Sequence, residues 1–250
     1  MMVHSRVTEL VRENKDVFTM KFDSSITAKP GQFLMIWVPG GKEIPMSLSN
    51  TSSPPSITFR TFGETTKTLS RLKIGDRVFY RGPYGNSYPE PSGKVAYVGG
   101  GTGVASLNAM ILKYRGDVFV GARTRDDLFL IRDGYKIATD DGSLGFKGTV
   151  IDLFLPHLSE YDYVFVCGPE PMVKSFIDRV DRRTHSKVFF SLERLMKCGV
   201  GICDSCSING YRVCKDGTIF SMDDVLKMTE FGVYKRSESG KMEFFTNGKR

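Results

Sequence analysis

Hydrophobic and polar residues alternate with a period of two over much of the first third of the chain. Phe18, Met20 and Phe22 are separated by polar neighbours, and Ile57, Phe59 and Thr61 repeat the pattern. That period belongs to half-buried strands. Residues 32–38 are more continuously apolar. Turn signals recur at Pro30-Gly31, Pro39-Gly40-Gly41, Gly75-Asp76 and Gly82-Pro83, where glycine and proline punctuate the backbone. Short strands cut by such turns predict a small antiparallel β-barrel over residues 1–92.

The pattern changes at Pro89-Glu90-Pro91-Ser92-Gly93, which reads as a linker. Beyond it come short, unbroken apolar runs at 95–98, 118–120, 163–166 and 188–190. Runs of this kind suit parallel strands buried on both faces. Between them, Met172, Val173, Phe176, Ile177 and Val180 line one face of a helix opened by Pro171, a residue favoured in the first helical turn. Strands alternating with helices predict a doubly wound parallel α/β domain over residues 93–190. A small cysteine module follows at 191–225. The stretch 226–250 is polar with scattered aromatics, and its pattern assigns no element. The fold class is therefore α+β multidomain.

Composition adds limits. The chain has 250 residues, 40% hydrophobic and 25% charged, the balance of a soluble globular protein. No apolar run approaches the roughly 20 residues that a spanning helix needs, so a membrane role is not expected. The net charge of +7 is scattered along the chain, and without an aromatic-and-basic stripe it argues against nucleic acid as a partner. His4, His157 and His185 are dispersed. No acid–base pair or nucleophile triad stands out, which fits a redox carrier.

Chemistry is concentrated in the cysteines. Four of the five, Cys198, Cys203, Cys206 and Cys214, are spaced C-x4-C-x2-C-x7-C. The opening C-x4-C-x2-C is the plant-type spacing for a [2Fe–2S] cluster. Gly199, Gly201 and Ser205 keep the loop small enough for backbone amides to approach the sulfurs. Cys214 departs from the plant pattern, whose last cysteine lies farther along. Structural zinc, which favours paired C-x2-4-C ligands, and a disulfide remain alternatives. Clustered cysteines without a readable signal peptide point to a reduced, cytoplasmic setting.

Two further strings carry weight. Gly99-Gly100-Gly101-Thr102-Gly103 joins a predicted strand to a predicted helix, where free N–H groups can meet a phosphate; it is not a full G-x-G-x-x-G fingerprint. Cys167-Gly168-Pro169 ends another strand of the same sheet. Ligands of open α/β sheets sit at the carboxyl ends of strands. In the barrel, Pro45-Met46-Ser47-Leu48-Ser49 lies on a strand, and Gly63 opens a loop into a short helix containing Thr65 and Thr66. Taken singly, each of these could be structural.

In this order, the segments resemble the ferredoxin–NADP reductase superfamily over nearly the whole chain. Within it they are similar to the electron-transfer subunits of NAD-dependent dihydroorotate dehydrogenases. The specific match is the run from Leu192 to Cys203 with the later Val213-Cys214-Lys215-Asp216-Gly217. The resemblance implies FAD on the barrel at Pro45, Met46, Ser47, Leu48, Ser49, Phe59, Arg60, Thr61, Thr65 and Thr66, with Ser47 at the flavin N5 edge. It implies NAD(H) at Gly99, Gly100, Gly101, Thr102, Gly103, Cys167, Gly168 and Pro169, and a [2Fe–2S] cluster on Cys198, Cys203, Cys206 and Cys214. It also implies a partner: the FMN-containing catalytic subunit of dihydroorotate dehydrogenase, in a heterotetramer, with this chain not oxidising dihydroorotate alone.

One departure matters. The family's flavin motif begins with arginine three residues before the serine, and here that position is Ile44. The lost guanidinium removes a bidentate pyrophosphate contact. Arg60 or Lys67 is expected to replace it, and FMN instead of FAD is the alternative there. Arg123 and Arg125, after the second parallel strand, could meet a 2′-phosphate or equally form a solvated face beside Asp126 and Asp127; NAD is preferred over NADP on the resemblance alone. The rival functions are a flavin and iron–sulfur subunit of a sulfhydrogenase, sulfite reductase or NADH–ferredoxin reductase complex, and a non-catalytic, zinc-stabilised interaction module.

Overall fold

Residues 2–245 are described by the computed structural model. β1 (Val3–Arg12), β2 (Val17–Phe22), β3 (Phe33–Trp37), β4 (Ile44–Asn50), β5 (Ser56–Arg60) and β6 (Arg77–Tyr84) close into an antiparallel barrel in the order β1-β2-β5-β4-β3-β6. The short α1 (Glu64–Leu69) connects β5 to β6. Register pairs Phe18 with Phe59 and Met20 with Ile57. Met20, Ile57 and Phe59 join Leu34, Ile36 and Leu48 in the barrel core.

The unbroken apolar character of β3 has a tertiary cause. Leu34 and Ile36 enter the barrel core, whereas Phe33 and Met35 point the other way, into a core shared with Cys206, Val213 and Phe220. Both faces of this strand are therefore covered. Full burial of a side chain of this size is worth about 1.5–3 kcal/mol, so Phe33 and Met35 anchor the cysteine module to the barrel.

The α/β region comprises β7 (Val95–Gly100), α2 (Gly103–Lys113), β8 (Asp117–Ala122), β9 (Lys136–Thr139), β10 (Phe146–Lys147), α3 (Val150–Phe154), β11 (Tyr163–Cys167), α4 (Glu170–Arg179) and β12 (Lys187–Ser191). Then come β13 (Ser207–Ile208), β14 (Tyr211–Arg212), α5 (Val213–Asp216), β15 (Ile219–Ser221) and α6 (Met222–Val225). The sheet order is β10-β9-β8-β7-β11-β12-β15. All pairs are parallel except the last, where β15 runs antiparallel to β12 with Ser191 opposite Ile219. A strand from the cysteine module thus caps the edge of the α/β sheet. Asn86 of the barrel side grips the same segment, donating to the Ile219 carbonyl at 2.7 Å and accepting from its N–H at 2.8 Å.

The stretch beyond residue 225 holds structure that its polarity concealed. Met228 and Phe231 are buried in the α/β core. β16 (Tyr234–Arg236) then pairs antiparallel with β17 (Met242–Phe244). Residues 246–250 of this stretch lie outside the described residues. Among the described residues no helix is long and apolar enough to cross a membrane.

Candidate functional site

The strand order reverses between β7 and β11, and there the two glycine motifs meet. Gly99 stands opposite Cys167 in the parallel register. The reason for glycine is steric at Gly103: an added Cβ would overlap the Cys167 carbonyl and the Gly168 N–H. Gly101 differs. It has φ +51° with open space where a Cβ would be, its N–H donates to the Gly121 carbonyl at 3.0 Å, and its bare Cα borders a cavity. That cavity, about 780 Å³, is lined by Gly100, Gly101 and Thr102, by Gly121 and Ala122 at the end of β8, and by Pro169 after β11. A dinucleotide fits this size range. Gly99, Gly103, Cys167 and Gly168 lie buried beneath it and shape the floor.

Cys167 is fully buried. Burial, with the nearby Glu193 charge, pushes its thiol up to about 12, so it stays neutral at physiological pH. Across the cavity, the Thr149 hydroxyl outweighs burial and, with the Arg179 guanidinium, holds the Asp152 carboxyl below its ordinary value.

The barrel contributes Arg60 and Phe62 to the same cavity. Arg60 Nη1 lies 3.8 Å from Asp16 Oδ2, while its Nε is buried without a hydrogen-bond partner among the described residues. An orphaned buried donor at a cavity wall suits an anionic ligand. Lys67, the other expected substitute for the missing arginine, pairs with Glu64 at 3.6 Å. Ile44 and Met46 pack against the barrel core, and Leu48 and Phe59 lie within it. These residues can offer a flavin little beyond their peptide groups.

The hydroxyls of the barrel divide by role. Ser49 is buried and bonded at 2.9 Å to Ser56 and to Thr58, and its carbonyl accepts from Asn108 Nδ2 of α2 at 2.8 Å. It joins the barrel to the α/β domain. Thr65 holds the Lys42 main chain at both its N–H and its carbonyl. Thr66 Oγ1 accepts from the N–H groups of Phe62 and Gly63, capping α1. Thr61 donates to the Asp16 carbonyl at 3.2 Å. The half-buried Ser47 hydroxyl is free of protein hydrogen bonds among the described residues, and Pro45 sits half-buried two places before it.

The cysteine loop is built from irregular main chain. Cys198 Sγ accepts from the N–H groups of Val200 and Ile202 at 3.5 and 3.4 Å, and Cys214 Sγ from Gly201 at 3.2 Å. Gly201, with φ +77°, can aim its amide this way because it has no side chain to strain. Cys203 lies near Cys198, and both Cys206 and Cys198 lie near Cys214. Burial pushes the Cys198 thiol up, but main-chain donors from Cys203, Val200 and Ile202 outweigh it and bring the thiol down to about 6. Burial and the adjacent Cys206 push Cys214 up to about 12. All five cysteines are free thiols. Among the described residues no three ligand side chains are grouped to hold one metal ion, whereas four sulfurs on one loop, with main-chain amides aimed at them, suit a two-iron cluster.

Several site residues carry no local signal. Phe62, 91% exposed, and Arg123, whose Nε lies 3.4 Å from Asp127, belong to the cavity wall. Arg81 reaches the cysteine loop from the barrel, and Glu170 pairs with Arg194 where the α/β domain meets the tail. Of these, Arg123 alone was singled out from the sequence, by its position after the second parallel strand. The exposed Arg125 lies beside it, and its N–H is held by Ser143 Oγ at 2.8 Å.

Together, the barrel, the cavity at a sheet's switch point and the four-cysteine loop define an electron-transfer oxidoreductase of ferredoxin–NADP reductase fold. Residues 193–226 match the iron-sulfur cluster binding domain of dihydroorotate dehydrogenase B. The electron transfer subunit of dihydroorotate dehydrogenase B (NAD(+)) from Thermoplasma volcanium is 42% identical, over 96% of this chain and 97% of its own. Its counterpart from Archaeoglobus fulgidus is 41% identical, over 90% and 99%. The solved structure of an NADH-dependent reduced ferredoxin-NADP oxidoreductase superposes with a TM-score of 0.76 at 28% identity, covering 90% of this chain and 92% of that one. The chain belongs to the family of dihydroorotate dehydrogenase B electron transfer subunits.

Proposed function

We propose that this chain relays electrons between the FMN-containing catalytic subunit of a dihydroorotate dehydrogenase and NAD⁺, within a heterotetramer that serves pyrimidine biosynthesis in the cytoplasm. A [2Fe–2S] cluster would supply one-electron transfer, and FAD would convert between it and the two-electron hydride chemistry of nicotinamide. Cys198, Cys203, Cys206 and Cys214 would hold the cluster. Ser47 would offer its unpaired hydroxyl to the flavin edge, Arg60 its unpaired Nε to a phosphate, and Gly101 a close approach, unobstructed by any side chain, to the nicotinamide dinucleotide. Cys167 would present a neutral thiol below the ring.

Contiguity carries this reading. The cysteine loop rests on β3 and β6 of the barrel, with Gly199 against Met35 and Tyr84. The strand bearing Ser47 is tied to α2 through Ser49 and Asn108, and α2 begins at the glycine loop. Each candidate site thus borders the next, as an electron relay requires.

Anaerobic stopped flow with NADH tests the nucleotide half. Flavin absorbance should bleach, and artificial acceptors should turn over; an unbleached flavin would defeat the NAD assignment. Dihydroorotate should reduce NAD⁺ only when the catalytic subunit is present. NADH oxidation coupled to ferredoxin instead would favour the second reading, a reductase subunit of the kind seen in the NADH-dependent structural neighbour.

A further inference from the structure

Arg81, on β6, links Glu43, just before the strand of the flavin motif, to a cluster ligand. Its guanidinium makes a forked pair with Glu43, Nε to Oε1 at 2.7 Å and Nη2 to Oε2 at 2.6 Å. Glu43 immediately precedes β4, the strand of Ile44 to Ser49. The same Nη2 donates to the Cys198 carbonyl at 3.2 Å. The guanidinium also lies over the Tyr84 ring, 5.7 Å from its centroid. Next in the chain, Gly199 is pressed so closely on Met35 and Tyr84 that a Cβ there would stand 2.8 Å from Met35 Cγ. The arginine, its carboxylate and the tyrosine are each only partly exposed.

We propose that Arg81 is a positioning and tuning residue for the iron–sulfur cluster. It clamps the peptide of the first ligand to the flavin-bearing strand, and its charge, balanced by Glu43, sets how readily the cluster accepts an electron. The inference rests on the cluster reading given above. Forked pairing explains why the side chain is arginine: two parallel bonds fix the guanidinium plane and leave Nη2 aimed at Cys198. Lysine would keep the charge and lose the aim. A cation beside the first ligand favours the reduced cluster because reduction adds negative charge. The adjacent carboxylate opposes that, so removing either partner moves the potential, in opposite directions.

The test is an EPR-monitored redox titration of the purified, cluster-loaded chain. Arg81→Gln should lower the cluster potential, so that at fixed poise the ratio of reduced to oxidised cluster falls about tenfold, equivalent to about 59 mV for a one-electron couple. Glu43→Gln should raise it. Arg81→Lys should fall between Arg81→Gln and the unaltered protein in potential, while broadening the EPR line by loosening the Cys198 peptide. Should Arg81→Gln fail to retain iron and sulfide, Glu43→Gln decides alone. A downward shift in Arg81→Gln with an upward shift in Glu43→Gln, or the upward shift alone where Arg81→Gln holds no cluster, supports the role, and the reverse directions overturn it. No shift in the cluster-bearing variants, or a shift of the same sign in both, overturns it. An unaltered protein that stays EPR-silent after dithionite would instead overturn the cluster reading itself.

Discussion

The two ends of the proposed relay are held in opposite ways. At the nucleotide end, regular secondary structure does the positioning: the β7–β11 register sets Gly99 against Cys167, and Gly100, Gly101 and Thr102 line a ready-made cavity. At the cysteine end, few residues lie in regular elements; the sulfurs accept from amides of the loop, that of the left-handed Gly201 among them, and Gly199 rests on the barrel. A strand end stays rigid without its ligand because the sheet supports it. A loop that crowds four sulfurs gains much of its order from metal, since metal binding and folding are coupled. Electron relays of this architecture therefore combine a preformed site with one completed by its cofactor.

Breaking that contrast should have graded effects. The largest belongs to the metal-dependent end. Cys214→Ser should reduce iron and acid-labile sulfide to near zero and open the 198–216 segment to limited proteolysis, while the barrel resists. Full cluster content in this variant would mean that the fourth ligand lies elsewhere.

Next comes the joint between the halves. Arg194 and Glu170 pair with side chains only 5% and 10% exposed, and Glu170 also accepts from Gly232 N–H. Removing one member of a buried pair strands the other charge, so Glu170→Ala should cost about 3–5 kcal/mol in denaturant unfolding. A loss below about 1 kcal/mol would show that the tail and the α/β domain are not coupled there.

A smaller effect is expected at the preformed end. Gly103→Ala drives a methyl into the Cys167 carbonyl, and overpacking of this kind costs about 1–3 kcal/mol. NADH titration should weaken in parallel, because the floor of the cavity shifts; unaltered affinity would separate the floor from the ligand.

The smallest effect is one of pH. Cys167 is raised from 9.0 to about 12 by burial, so the stability it supports is fully present below about pH 9 and is lost as pH rises toward 12. Between pH 9 and 10.5 the parent should lose more unfolding free energy than Cys167→Ala. Parallel slopes would mean that the thiol ionises freely.

Much of the architecture was legible beforehand, and the misses have physical causes. Alternation at Phe18, Met20 and Phe22 reports a buried face directly, because strand geometry repeats every two residues. Unbroken runs at 95–98 and 163–166 reported parallel strands for a similar reason. The tail was opaque because β16 and β17 form a largely exposed hairpin, with Met242 and Phe244 open to solvent, which leaves little apolar pattern. Position 219–221 gave no hint of its strand partner, since β15 pairs with a segment some thirty residues earlier.

Within the site, the cysteine spacing and the glycine loop were readable because both depend on residues close in sequence. Arg60 was foreseen as a ligand-facing charge and does border the cavity. Arg81 was not: in β6 it looks like any polar residue on a strand.

What the chain determined by itself was thus the set of elements, the crowding of sulfurs and the strand-to-helix turn at Gly99 to Gly103, all consequences of local period and spacing. Tertiary structure alone decided that Gly99 lies beside Cys167, that Phe33 and Met35 turn outward to carry the cysteine module, and that one guanidinium spans Glu43 and Cys198. Such pairings join residues tens to more than a hundred positions apart. They arise from how whole surfaces pack, and no short stretch of sequence contains both partners.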